Sequence, residues 1–124
     1  MKVKNLWVIV AGVSGFSSVG LAAFGRHSLQ EHAADKDFQY RKDLWQTGNQ
    51  FHMFNSLALL AVPMVRSPYC HLAGAAFSLG ILGFSSSMYT RAYYGERMVP
   101  AAITQIGGFL SGAGWLFFCI FPRL

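Results

Sequence analysis

Charge is what this chain has least of. Asp, Glu, Lys and Arg make up 12% of its 124 residues, about half the ~25% usual for soluble domains. A water-facing domain of this length has to cover itself with polar groups, so the shortage excludes an ordinary soluble globule. None of the five acidic residues falls inside a long apolar stretch. No Ser, His and acid therefore share one depth, and the chain is not expected to be an enzyme. Cysteine is equally sparse: Cys70 and Cys119 have no CxxC or Cys/His spacing, which excludes a zinc module, and both read as buried free thiols. The net charge of +5 is spread over termini and loops. Nucleic acid needs basic residues gathered on one face, so lipid headgroups are the expected partner of these cations and nucleic acid is not.

What is present is apolar sequence, 53% of the chain, in four stretches. Residues 6–25 carry no charge, and about twenty residues at 1.5 Å each cross a hydrocarbon core near 30 Å thick. A secretory signal cleaved near Gly20-Leu21-Ala22 is the alternative reading of this segment. Residues 26–43 hold most of the charges, including Glu31, Asp35, Lys36, Asp37, Arg41 and Lys42, and form the largest exposed loop. Residues 32–40 of that loop are either irregular or a short interfacial helix.

The second span is predicted over residues 44–65, with Asp43 capping its start. Pro63 and Pro68 bracket a tight turn with Arg66 at the surface. The third and fourth spans are predicted at residues 69–90 and 101–121, joined by a loop containing Arg91, Tyr93, Tyr94, Glu96 and Arg97. The chain thus reads as an all-α membrane protein, a single domain folded as a compact bundle of four transmembrane helices with both termini on the same side. Basic residues are slightly more numerous in the two long loops, which places those loops toward the cytoplasm or matrix.

Between helices in lipid, close packing and hydrogen bonds replace the hydrophobic effect, and small residues mark the contacts. Candidate packing rows are Ala11, Gly15, Ser18 and Ala22 in the first span, and Gly74 with Ser78 and Gly83 with Ser87 in the third. The fourth offers Gly108 with Gly112, and beside them Gly107, Ser111 and Gly114. Trp7, Tyr40, Trp45, Tyr69, Tyr93 and Tyr94 stand near span ends as an interfacial belt.

The second span is half polar. Gln46, Asn49, Gln50, His52, Met53 and Ser56 fall within an arc of roughly 160° at helical pitch, and unpaired amides cannot face hydrocarbon cheaply. Together with Asn55, Thr104 and Gln105, the polar members form a candidate intramembrane cluster. It reads either as interhelical hydrogen bonds locking the second and fourth spans, or as the pocket of a small transporter or of a lipid- or quinone-binding protein. Haem ligation fails on depth: His27 and His52 differ by roughly 10 Å along the bundle axis, His32 stands in the loop, and His71 belongs to the opposite membrane face. No cofactor or metal is expected.

Several segments resemble the transmembrane protein 256 family, also catalogued as domain of unknown function 423. They are Ala23-Phe24-Gly25-Arg26-His27, Ser56-Leu57-Ala58-Leu59-Leu60, Phe84-Ser85-Ser86-Ser87-Met88-Tyr89, Ile103-Thr104-Gln105-Ile106-Gly107-Gly108 and Gly114-Trp115-Leu116. The resemblance spans nearly the whole chain and is closer to the animal branch, associated with mitochondria. Two positions depart from the family pattern: Asn55 stands where His is frequent, and Gln105 where Pro is. The resemblance implies a small multi-pass protein of the mitochondrial inner membrane. With the small-residue rows, it makes a structural or accessory component of a respiratory complex or similar assembly the expected function. Membrane lipids and membrane proteins are the expected partners.

Overall fold

The computed structural model describes residues 3–95 and 99–123. Of the charged and histidine positions named above, Glu96 and Arg97 lie outside the described residues, as does the side chain of His32.

Four helical rods account for nearly all of the described chain. The first is α1 (Val3–Ser28), extended by a 3-10 turn at Leu29–His32; the second is α2 (Phe38–Ala61), ending in a 3-10 turn at Val62–Met64. The third consists of α3 (Tyr69–Gly80), a π turn at Ile81–Ser85 and α4 (Ser86–Tyr94), and the fourth is α5 (Ala101–Ile120). Three stretches, Leu6–Glu31, Tyr69–Tyr94 and Ala101–Ile120, are long and apolar enough to cross a membrane. The polar first half of α2 keeps that helix below the same threshold, yet it packs against α1, α3 and α4 as the centre of the bundle.

The distribution of polarity is inverted relative to a water-soluble bundle. Large apolar side chains face outward on every rod, for example Phe16 at 83% exposure, Phe54, Leu57, Leu82 and Phe109 at 80%. Ser18, His52, Asn55, Ser56, Ser87 and Ser111 are buried. This arrangement is stable where the surroundings are hydrocarbon and every polar group must find its partner inside.

Both termini lie at one end. Trp7 Nε1 donates to His71 Nδ1 at 3.0 Å, Arg123 N donates to Met64 O at 2.7 Å, and Tyr69 stacks on Phe121 at 3.8 Å. Arg66 is exposed in this turn, as expected, with its guanidinium over the Tyr69 and Phe121 rings. The other end is closed by Leu29, Trp45 and Ala92, with Phe38 and Tyr93 packed against them.

The expected loop over residues 26–43 is mostly helical. Helix α2 starts at Phe38 rather than at residue 44, because Phe38 is held under the Leu29 and Trp45 cluster. The first turns also gain i,i+4 pairs: Arg41 Nε to Asp37 Oδ2 at 3.1 Å and Gln39 Nε2 to Asp43 Oδ1 at 2.9 Å. Asp43 is therefore interior to the helix and not its cap. Only residues 33–37 connect α2 to the turn before it, so neither the irregular loop nor a separate interfacial helix describes this region.

The small residues divide by face. Ala11 and Ser18 are buried against α2, and a Cβ on Gly15 would just touch Ser56 at 3.9 Å. Gly74 seats the Trp7 ring, and Gly83 lies against Gly107. Ser87 Oγ and Thr104 Oγ1 are 2.6 Å apart. The contact row of α5 is Gly107, Ser111 and Gly114, which face Gly80, Gly83, Phe84 and Phe77. Gly108 and Gly112, one position further along, are rotated about 100° from that row. Gly108 only skims the Phe84 ring, and Gly112 is exposed with nothing near it. Ala22 also faces outward, where α1 and α2 diverge, and Ser78 borders an open cleft. Cys70 is buried as expected, but Cys119 lies on the outward side of α5.

Candidate functional site

The buried face of α2 repeats at helical spacing: Trp45, Gly48, His52, Asn55, Ser56 and Leu59. Gly48 is required for close approach, since a Cβ there would lie 2.8 Å from Met88 Cβ. That approach brings the Tyr89 hydroxyl of α4 within 3.0 Å of His52 Nδ1. Asn49 Nδ2 donates to the same hydroxyl at 3.1 Å and to Ser18 O at 2.8 Å.

In the tautomer that carries the His52 proton on Nε2, the Tyr89 oxygen accepts from Asn49 and its hydroxyl donates to His52 Nδ1. The Nε2–H then points to Ser17 Oγ at 3.5 Å, near the limit of a useful hydrogen bond, while Ser17 spends its proton on Ser14 O at 2.8 Å. Ser56 donates to His52 O at 2.7 Å, so Ser14 supplies the proton in the 2.6 Å contact between the Ser14 and Ser56 hydroxyls. His52 is thus held between the Tyr89 hydroxyl on one side and the Ser14 backbone and Ser17 hydroxyl of α1 on the other.

The ring borders a cleft of about 450 Å³ between α1 and the third rod. Ile9, Val10, Val13, Ile81 and Leu82 make its apolar walls, and Ser14, Ser17, His52 and Tyr89 supply polar groups. Ser78 and Ser85 also line it, and their buried hydroxyls have no hydrogen-bond partner among the described residues. Ser85 is 1% exposed. Buried hydroxyls in helices ordinarily bond the carbonyl of the preceding turn, and orphaned ones ask for an explanation. The π turn that carries Ser85 is a feature common at functional sites.

The structure gathers only part of the candidate cluster here. Asn49, His52 and Ser56 belong to one network with α1 and α4. Asn55 looks the other way, donating to Ser111 Oγ of α5 at 2.8 Å. Thr104 pairs with Ser87 of α4 rather than with α2. Gln46, Gln50 and Gln105 are exposed and join neither group. The lock between the second and fourth spans therefore rests on Asn55 and Ser111.

Sequence reasoning missed Ser14, Ser17, Ser85 and Tyr89. Ser14 and Ser17 lie beside the Gly15 and Ser18 row, and their spacing of three was the available signal. Tyr89 and Ser85 lie within the stretch that carried the family resemblance, with nothing to mark them as inward-facing.

Comparison with known proteins adds a family but no chemistry. A family model described as "Protein of unknown function (DUF423)" matches residues 21–108. A UPF0382 membrane protein of Staphylococcus haemolyticus is 33% identical over 119 residues, covering 94% of this chain and 93% of its own length. Another, from Haemophilus influenzae, is 32% identical over 116 residues, with 91% and 90% covered. A third, YwdK of Bacillus subtilis, is 30% identical over 117 residues, with 90% and 91% covered. No solved structure matches.

Proposed function

The chain belongs to the DUF423 family, and from that premise we propose that it is a non-catalytic binding protein of the membrane. It takes an apolar molecule bearing a hydrogen-bond acceptor, such as a quinone or a lipid ester, into the cleft between α1 and the third rod. One observation carries this reading: two buried hydroxyls without a hydrogen-bond partner among the described residues, those of Ser78 and Ser85, share with the His52 ring one cleft with apolar walls. A carbonyl oxygen satisfies such donors, and the walls accept a ring or an acyl chain. The volume falls within the range of about 300–1,000 Å³ common for small-molecule sites.

The probe is decylubiquinone titrated into the detergent-solubilised Trp7→Phe, Trp115→Phe protein, read by quenching of the remaining Trp45, which packs on Tyr89 with ring centroids 4.6 Å apart. Saturable quenching is expected. His52→Leu with Tyr89→Phe is expected to weaken it about tenfold, the value of one to two hydrogen bonds. Gln105→Leu, on an outward face, is expected to change nothing. Equal quenching in all three proteins removes this reading.

A second reading, an accessory component of an inner-membrane assembly such as a respiratory complex, is supported by a different feature. Phe84, Gly108, Phe109, Gly112 and Leu116 border a shallow outward groove of about 870 Å³, whose glycines allow close approach of another helix. A mitochondrial site of action rests on the sequence resemblance alone. The relatives named above are bacterial and support membrane location alone. Mild extraction and native-gel mass spectrometry are expected to show co-migration with a larger assembly; migration solely as a free monomer removes this reading.

A further inference from the structure

A second cavity, of about 540 Å³, opens at the loop end of the bundle, where α1 and α2 diverge. Its floor is aromatic: Trp45 lies flat against Gly25, whose missing Cβ would sit 2.0 Å from the indole nitrogen, and Phe38 closes one side. Arg26 and Lys42 stand on its walls with the side-chain amides of Gln30 and Gln46.

Among the described residues neither Arg26 nor Lys42 makes an ion pair or a side-chain hydrogen bond. The described carboxylates at this end are engaged elsewhere. Asp37 holds Arg41 at 3.1 Å, Asp43 accepts from Gln39, Glu31 accepts from the Tyr93 hydroxyl, and Asp35 has a partner of its own. Among the described residues no acidic side chain lines the cavity. Unpaired like charges sharing one cavity repel each other, and an anion between them relieves that repulsion.

We propose that this cavity binds the phosphate headgroup of an anionic phospholipid, with Arg26 and Lys42 on the phosphate oxygens and the Gln30 and Gln46 amides on the glycerol or headgroup oxygens. A free phosphate ion offers the same oxyanion chemistry. The cavity's position assigns it to a lipid. Arg26 directly follows the charge-free stretch of residues 6–25, and exposed Phe24 and Tyr40 flank this end at the level of the bilayer surface. Basic pockets between membrane helices at that level take anionic headgroups. Charge complementarity and depth point to the same occupant. The inference is independent of the quinone-type cleft, which lies deeper and on the other side of Trp45.

The test uses the full-length protein in nanodiscs of phosphatidylcholine containing one-tenth phosphatidylglycerol, with retained lipid counted by native mass spectrometry after transfer to detergent. Phosphatidylglycerol is expected to be enriched on the wild type at least tenfold over its share. Arg26→Gln with Lys42→Gln is expected to remove that enrichment, while Arg66→Gln with Arg123→Gln, at the opposite end, keeps it. Inorganic phosphate at 10 mM, on the order of ordinary buffer strength and well below the screening range, is expected to leave the enrichment unchanged. No enrichment on the wild type overturns the proposal whatever the variants do. Equal loss from both double variants overturns it in favour of bulk charge attraction. Full displacement by inorganic phosphate overturns it in favour of a free-phosphate site.

Discussion

Gly107→Ala is expected to lower the stability of the detergent-solubilised bundle by about 3 kcal/mol, the upper end of ordinary overpacking, whereas Gly112→Ala leaves it within about 0.5 kcal/mol. A Cβ on Gly107 would lie 2.3 Å from Phe84 N and 2.8 Å from Gly83 C. Both are backbone atoms of the third rod and cannot swing aside as a side-chain tip would. The two rods must separate, and the loss spreads to neighbouring contacts. The 2.8 Å bond from Asn55 to Ser111 and the seat of Ser111 Oγ against Gly80 both depend on the same approach. Hydrocarbon offers no hydrophobic compensation for a loosened helix pair, because lipid tails are as apolar as the side chains they replace. Thermal unfolding followed by circular dichroism provides the comparison. Equal midpoints for the two variants would show that α5 packs through its Gly108 and Gly112 face instead.

The second large effect is expected at Gly25→Val. Its Cβ would lie 2.0 Å from Trp45 Nε1, 2.4 Å from Cε2 and 2.5 Å from Cδ1. The indole is rigid and held on three sides. Its N–H donates to Leu21 O at 2.9 Å, its face packs on Tyr89 at 4.6 Å, and the ring is 6% exposed. Valine therefore has to expel Trp45 or push α1 from α2, at a cost of about 3 kcal/mol. Expulsion is expected to shift the Trp45 emission to longer wavelength. Trp45→Ala in the same chain removes the clash, so the double variant is expected to be less destabilised than the sum of the single ones, a coupling of at least about 1 kcal/mol. Gly20→Ala, with nothing within 4 Å of its Cβ, serves as the neutral control. Additive effects would mean that Gly25 acts through backbone conformation and not as the seat of the indole.

Charge-free length located four rods in the sequence because crossing hydrocarbon is a one-dimensional requirement: about twenty residues without a charge. It misplaced the start of α2 for the same reason. Charge records where lipid ends, not where helical hydrogen bonding ends, and Asp37, Arg41, Gln39 and Asp43 continue the helix beyond the apolar segment. The aromatic residues near span ends show a similar limit. Trp7 and Trp45 resemble belt residues in a linear reading. The structure turns both inward onto glycines, Gly74 and Gly25, that are distant in sequence.

The sequence by itself determined the solvent: with so little charge and apolar stretches of this length, the chain folds in lipid, and it must bury the polar groups of α2. The tertiary structure alone decided which of those groups meet. Residues one step apart on a helix differ by about 100° in direction, so the rotation of α2 and α5 decides that Asn55 meets α5 while Ser56 meets α1, and that Gly107 rather than Gly108 meets the third rod. That rotation follows from the glycines each helix meets on its neighbours. The same packing left the His52 ring, Ser78 and Ser85 bordering an open cleft, and Arg26 with Lys42 facing another.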